Sequence, residues 1–153
     1  MKKIKALLIT LCATITLSIA GCGEDTTLIE YKEKMEHFYE QLHYYGRDLD
    51  SLNPDSDTAI DEMLSHLEGI SILIKEMATY EVPDVFLGVE ELAEQADKYM
   101  TESLRLYNEA FLAAEYNDNI TEAAYENYER VNLRLRYIAD ILSGDIPEEI
   151  FTN

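Results

Sequence analysis

The sequence predicts an all-α protein built as an antiparallel, up-down-up-down four-helix bundle. Beyond the first two dozen residues, apolar side chains recur at steps of three and four in four separate segments. This spacing lines up one face of an α-helix. The segments are separated by short breaks, each containing proline or asparagine. Short connections make consecutive helices antiparallel neighbours, which favours a bundle over other helical arrangements.

The first segment carries an unbroken heptad pattern, so we expect one long helix that begins near Thr26 or Thr27. Pro54 interrupts helical structure, and Ser56, Asp57 or Thr58 is the expected N-cap of the second helix. The apolar positions of the first segment are Leu28, Tyr31, Met35, Phe38, Leu42, Tyr45, Leu49 and Leu52.

The second segment has a broader apolar stripe, because Leu64 and Leu73 widen its main row. A broad stripe indicates neighbouring helices on two sides. Pro83 ends this segment and is expected to open the third helix in its first turn. The main row contains Ile60, Met63, Leu67, Ile70, Ile74 and Met77.

The third helix is expected from about Asp84 to Tyr116. Two parallel rows face inward, the first Val85, Val89, Leu92, Ala96, Tyr99, Ser103, Leu106, Ala110 and Ala113, the second Phe86, Ala93, Met100, Tyr107 and Ala114.

The fourth helix is expected to begin at Asn119, which has the capping-box spacing to Glu122. It should end at Gly144, with Pro147 beyond it. Its inward row is Ile120, Ala124, Tyr128, Val131, Leu135, Ile138 and Leu142.

The first 22 residues have the layout of a secretory signal. Three lysines precede an apolar stretch from Ala6 to Ile19. The segment Ile19-Ala20-Gly21-Cys22 then resembles the lipobox of bacterial lipoproteins. This resemblance implies cleavage after Gly21 and acyl chains on Cys22. Two other interpretations are weaker. A retained membrane helix needs roughly 20 apolar residues, and an ordinary secreted protein would more often have an A-x-A-like cleavage site without a cysteine at the boundary.

The expected organisation therefore has four parts. Residues 1–21 form the signal peptide, residues 22–26 a short lipidated tether, residues 27–144 the bundle and residues 145–153 a tail. We expect the protein on the extracytoplasmic face of the bacterial membrane, held there by the acyl chains on Cys22.

Composition limits the partners of the mature chain. The signal segment contains three of the 12 basic residues and none of the 31 acidic ones, so cleavage leaves a net charge of −22. This charge argues against binding to nucleic acid. Cys12 is lost with the signal, so Cys22 is the single remaining cysteine, which excludes disulfides and zinc–thiolate sites.

Two segments raise the question of a metal site. A di-iron bundle needs two Glu-x-x-His turns, and this chain has one, Glu40 to His43, on either side of the inward Leu42. The acidic run Asn53, Asp55, Asp57 and Asp61 resembles the start of a calcium loop, but Thr58 and Leu64 replace its glycine and its bidentate glutamate. The histidines His37 and His66 complete neither set. We therefore predict no metal, cofactor or catalytic residues.

Several tyrosines are candidates for a partner groove or, alternatively, for the helix interfaces: Tyr44, Tyr45, Tyr107, Tyr116, Tyr125, Tyr128 and Tyr137. The sequence lacks the glycine-rich loops and the serine elbow of common enzyme classes. We thus expect a non-enzymatic interaction or scaffold module of the cell envelope with an envelope protein as partner. The alternative is a sensor or carrier for a small ligand or a divalent cation.

Overall fold

A computed structural model describes residues 26–112 and 117–145. These residues form four helices and no strand: α1 (Thr26–Asp50), α2 (Ala59–Met77), α3 (Val89–Leu112) and α4 (Asp118–Ser143). The predicted all-α four-helix bundle is confirmed. The signal segment, Cys22, Tyr116 and the tail beyond Asp145 lie outside the described residues.

Contacts between helices establish the antiparallel order. The ring of Tyr45, late in α1, lies 6.3 Å from that of His66 in α2. Ser103 in α3 donates a 2.8 Å hydrogen bond to the carbonyl of Ala124, early in α4. The α3–α4 pair has the most extensive contact of the bundle.

Tyr39 links the first helix to the last and was not among the predicted inward residues. Its hydroxyl donates a buried 2.6 Å hydrogen bond to the carbonyl of Leu135. The heptad pattern places Phe38 inward, and the neighbouring position becomes buried because α4 covers that side of α1 as well.

The core follows the predicted rows of all four helices. Its side chains fill the space between the helices, and this burial is the main source of stability. The largest fully buried side chains are Tyr107, Phe38, Met35, Leu42, Met63, Leu67, Ile70, Ile74, Met77, Met100, Leu135 and Ile138.

The predicted start of α3 at Asp84 is wrong, because the helix begins at Val89. Pro83 opens an isolated turn instead, in which the amide of Phe86 donates to the carbonyl of Pro83. Gly88 follows with φ at 86°, a left-handed conformation that no α-helix continues through. As a result Val85 is exposed rather than inward.

The predicted start of α4 at Asn119 is also wrong. Asn117 is the N-cap, and its side-chain oxygen accepts a 3.0 Å hydrogen bond from the amide of Asn119. The predicted end at Gly144 is confirmed, with φ at 87° and the amide of Asp145 bonded to the carbonyl of Asp140.

Thr58 is the N-cap of α2, one of the three predicted candidates, although its hydroxyl donates to Glu62 rather than accepting from the backbone. Within residues 26–112 and 117–145, none of the helices has the length and apolar character that a membrane crossing requires.

Candidate functional site

The residues considered as metal ligands do not assemble into a site. Glu40 and His43 are both exposed, and Glu40 lies 4.0 Å from the ring of His37 on the same surface. His66 is half-buried against Tyr45. Over the part of the chain that the structure describes, no three potential ligands come close enough to hold a metal ion.

The acidic segment between α1 and α2 uses its polar side chains for local hydrogen bonds. The side-chain oxygen of Asn53 accepts from the amide of Asp55, and the hydroxyl of Ser56 accepts from the amide of Thr58. The carboxylates of Asp55 and Asp57 are exposed. Such turns are what Asn and Ser form in loops without any ligand.

The candidate tyrosines divide between the core and the surface. Tyr107 and Tyr128 are buried, whereas Tyr45 and Tyr137 pack partly buried against the core. Tyr44 is exposed. Tyr125 is half-buried, and Tyr116 lies outside the described residues. The described tyrosines of this set therefore differ in burial and do not form one exposed group.

A groove of about 410 Å³ lies where the first turns of α1 meet the α2–α3 loop. We call it the end groove. Its floor includes the ring of Tyr31, whose centroid is 5.7 Å from that of the buried Phe86. The remaining lining residues are Thr27, Leu28, Glu30, Lys34, Glu81, Val82, Pro83, Asp84 and Val85.

The charges around the end groove are mostly negative. Glu30, Glu81 and Asp84 face a single cation, Lys34, among the lining residues. The ammonium of Lys34 lies 5.7 Å from the centroid of Tyr80, which makes it a cation–π partner. The rim thus disfavours anions.

A second feature lies between α3 and α4, where Tyr99, predicted as inward, is partly buried against the core and Arg130 is exposed. The guanidinium carbons of Arg130 and Arg134 lie 5.5 Å and 4.9 Å from the ring centroid of Tyr99. Arg134 also donates a 3.1 Å hydrogen bond to the side-chain oxygen of Gln95. We call these four residues the Tyr99 surface. The i,i+4 spacing of the two arginines on α4 puts both over one ring.

The surroundings of the two arginines in the Tyr99 surface differ from those of Arg105, the arginine of α3. Arg105 forms ion pairs of 2.7 Å and 2.8 Å with Glu102 and Glu109, and its hydrogen bond lowers the pKa of the Glu102 carboxyl. Among the described residues, neither Arg130 nor Arg134 forms an ion pair. Among the described residues Arg47 and Arg136 likewise form no ion pair, so the distinguishing feature of Arg130 and Arg134 is that both lie over one ring. The sequence alone did not identify them as a pair with Tyr99.

Burial raises the pKa of three core tyrosines. The pKa of Tyr128 rises to about 12, with a further contribution from the charge of Asp50. The pKa values of Tyr31 and Tyr39 are raised further, again mainly by burial. These hydroxyls stay protonated near neutral pH, so they serve as packing and hydrogen-bonding groups.

The chain matches no family model, and it shows no significant similarity to any curated protein or solved structure.

Proposed function

We propose that the chain is a lipid-anchored, non-enzymatic interaction module on the extracytoplasmic face of the bacterial membrane. The lipobox-like segment ending at Cys22 supports the anchor. Because α1 begins at Thr26, four residues later, the tether spans at most about 14 Å even when fully extended. This short reach favours partners that are themselves in or near the membrane.

The Tyr99 surface is the main structural support for a role in protein interaction. Tyrosine and arginine are, with tryptophan, the residue types enriched where protein interfaces gain their binding energy. Here both arginines are held over one ring and are not neutralised within the described part of the chain. The surface therefore suits a protein partner that presents carboxylates.

In-cell crosslinking tests both parts of this proposal. The wild-type protein should capture a defined envelope protein, and Cys22→Ser should lose it because the bundle is no longer held at the membrane. The double variant Arg130→Glu/Arg134→Glu should also lose the partner while staying at the membrane.

Arg136→Glu is the matched control. Arg136 is exposed on the same helix but lies about 200° around it from Arg134. Capture that survives in the double variant, or that fails equally in the control, would contradict the role of the Tyr99 surface.

The end groove favours a second candidate function, a sensor or carrier for a small ligand. Its volume lies within the range of small-molecule sites. A thermal-shift screen against metal ions and metabolites separates the two functions, because a ligand that binds the folded state raises the melting temperature with its concentration. A reproducible rise that Lys34→Ala abolishes would favour the sensor over the interaction module.

A further inference from the structure

The α2–α3 loop, residues 78–88, carries two exposed apolar side chains, one of which lines the end groove beside the start of α1. Val85 is 69% exposed and Leu87 is 77% exposed, while Phe86 between them is buried. Phe86 holds the loop against α1 through its contact with Tyr31. The loop is thus fixed in a position where its two outward side chains have no cover from the described residues.

The same end of the bundle carries the proposed anchor. Val85 lines the end groove together with Thr27 and Leu28, which belong to the first turn of α1. Cys22 precedes Thr26 by four residues, so acyl chains on Cys22 would enter the bilayer within about 14 Å of this turn. A lipid surface is therefore the apolar phase nearest to Val85 and Leu87.

We propose that Val85 and Leu87 insert into the lipid surface and orient the bundle end-on to the membrane, an inference that rests on the proposed lipid anchor at Cys22. The chemistry of this contact is apolar. A lipid anchor fixes only where the chain is attached, whereas a second apolar contact also fixes the orientation of the bundle.

The negative charges around the α2–α3 loop determine which lipid headgroups it can contact. Glu81 and Asp84 belong to the same loop, and Glu90 and Glu91 form the first turn of α3 next to it. Anionic headgroups are repelled by these carboxylates, so the contact is made with zwitterionic lipid. The contact should weaken as the anionic lipid fraction rises, which is the reverse of attachment through basic residues.

The absence of tryptophan from the sequence provides a direct test. Leu87→Trp introduces a single fluorescent reporter at the loop. Leu112→Trp is the matched control, because Leu112 is 68% exposed and lies at the other end of α3, about 36 Å away along the helix axis. Both variants are prepared as the lipidated full protein in phosphatidylcholine vesicles with brominated acyl chains, which quench tryptophan on contact.

We expect blue-shifted emission and strong quenching for Leu87→Trp, and neither effect for Leu112→Trp. Adding Val85→Asp to Leu87→Trp should remove the quenching. Adding Ile72→Asp should not, although Ile72 is also exposed, at 62%, on α2.

Co-flotation of the protein with the vesicles separates the two proposals. Protein that floats without quenching of Leu87→Trp overturns the loop contact and leaves the anchor standing. Protein that does not float contradicts the anchor itself. Equal quenching of both reporters, or a blue shift of Leu87→Trp that depends on protein concentration without vesicles, overturns the loop contact in favour of unoriented adsorption or a second copy.

Discussion

The loops at the two ends of the bundle differ in what they expose. Residues 51–58 join α1 to α2 with a proline-containing, acidic segment whose side chains hydrogen-bond to their own backbone. Residues 78–88 join α2 to α3 with another proline-containing segment, yet this one turns Val85 and Leu87 outward. We call residues 51–58 the polar loop and residues 78–88 the apolar loop. The polar loop exposes polar side chains, and its Leu52 packs partly buried against the core. The apolar loop is adapted to water and to an apolar surface, and it lies at the end where the proposed anchor begins.

Removing the residue that holds the apolar loop should have the largest effect. Phe86→Ala deletes a buried ring in contact with Tyr31, which should lower the free energy of unfolding by about 3 kcal/mol. Leu52→Ala is the comparison in the polar loop, where a half-buried side chain should contribute only about 1 kcal/mol. Urea unfolding of both variants measures the difference. Equal losses would mean that the apolar loop is not specifically held in place.

Alkaline pH should weaken the bundle through its buried tyrosines. Because the pKa of Tyr128 is about 12 in the folded protein and about 10 when exposed, the unfolded state loses its proton first as the pH rises. Stability is therefore fully present below pH 10 and is lost between about pH 10 and 12, by up to about 2–3 kcal/mol for this residue.

Tyr128 lies towards the polar-loop end of the bundle, near Asp50, and Tyr31 lies beside the apolar loop. Thermal melting of Tyr128→Phe and of the wild type at pH 9 and pH 11 measures the loss of stability at alkaline pH. The variant should lose less stability than the wild type between pH 9 and pH 11. An equal loss in both proteins would show that burial does not raise the pKa of Tyr128.

Gly88→Ala should have a smaller effect confined to the apolar loop. Nothing lies within 4 Å of a Cβ added at Gly88, so the cost comes from its left-handed backbone alone. A loss of about 1 kcal/mol is expected, and Gly88→Asn should recover part of it because asparagine tolerates this conformation. Calorimetry of the two variants tests this order of stability. If residue 88 were helical, Gly88→Ala would instead be the more stable of the two variants.

Leu87→Ser should change stability least. An exposed side chain contributes little to folding, so the free energy of unfolding in solution should stay within about 0.5 kcal/mol of the wild type. Chemical denaturation without lipid measures this. A larger loss of unfolding free energy would show that Leu87 stabilises the fold. The exposure of Leu87 would then not support a membrane contact.

Most of the fold could be predicted from the spacing of apolar residues. The rows of α1, α2 and α4 were located because each side chain on a buried face repeats at helical intervals, as from Met35 to Leu49. The first residues of α3 and α4 were harder to predict. Proline at position 83 is compatible with a first helical turn, and only the left-handed Gly88 shows that the chain forms a separate turn first.

The surface features could not be predicted in the same way. Tyr99 and Arg134 are 35 positions apart, and their contact depends on how α3 and α4 align side by side. The exposure of Val85 likewise depends on where α3 begins, since a longer helix would have turned it inward. Pairing across helices and the path of loops are set by tertiary packing, which periodicity alone does not encode.

Both proposals depend on the acylation of Cys22, and mass spectrometry of the N-terminus of the protein purified from membranes tests it most directly. We expect a chain that begins at Cys22 and carries acyl chains on that residue. An intact N-terminus at Met1, or an unmodified one at Gly23, would contradict it.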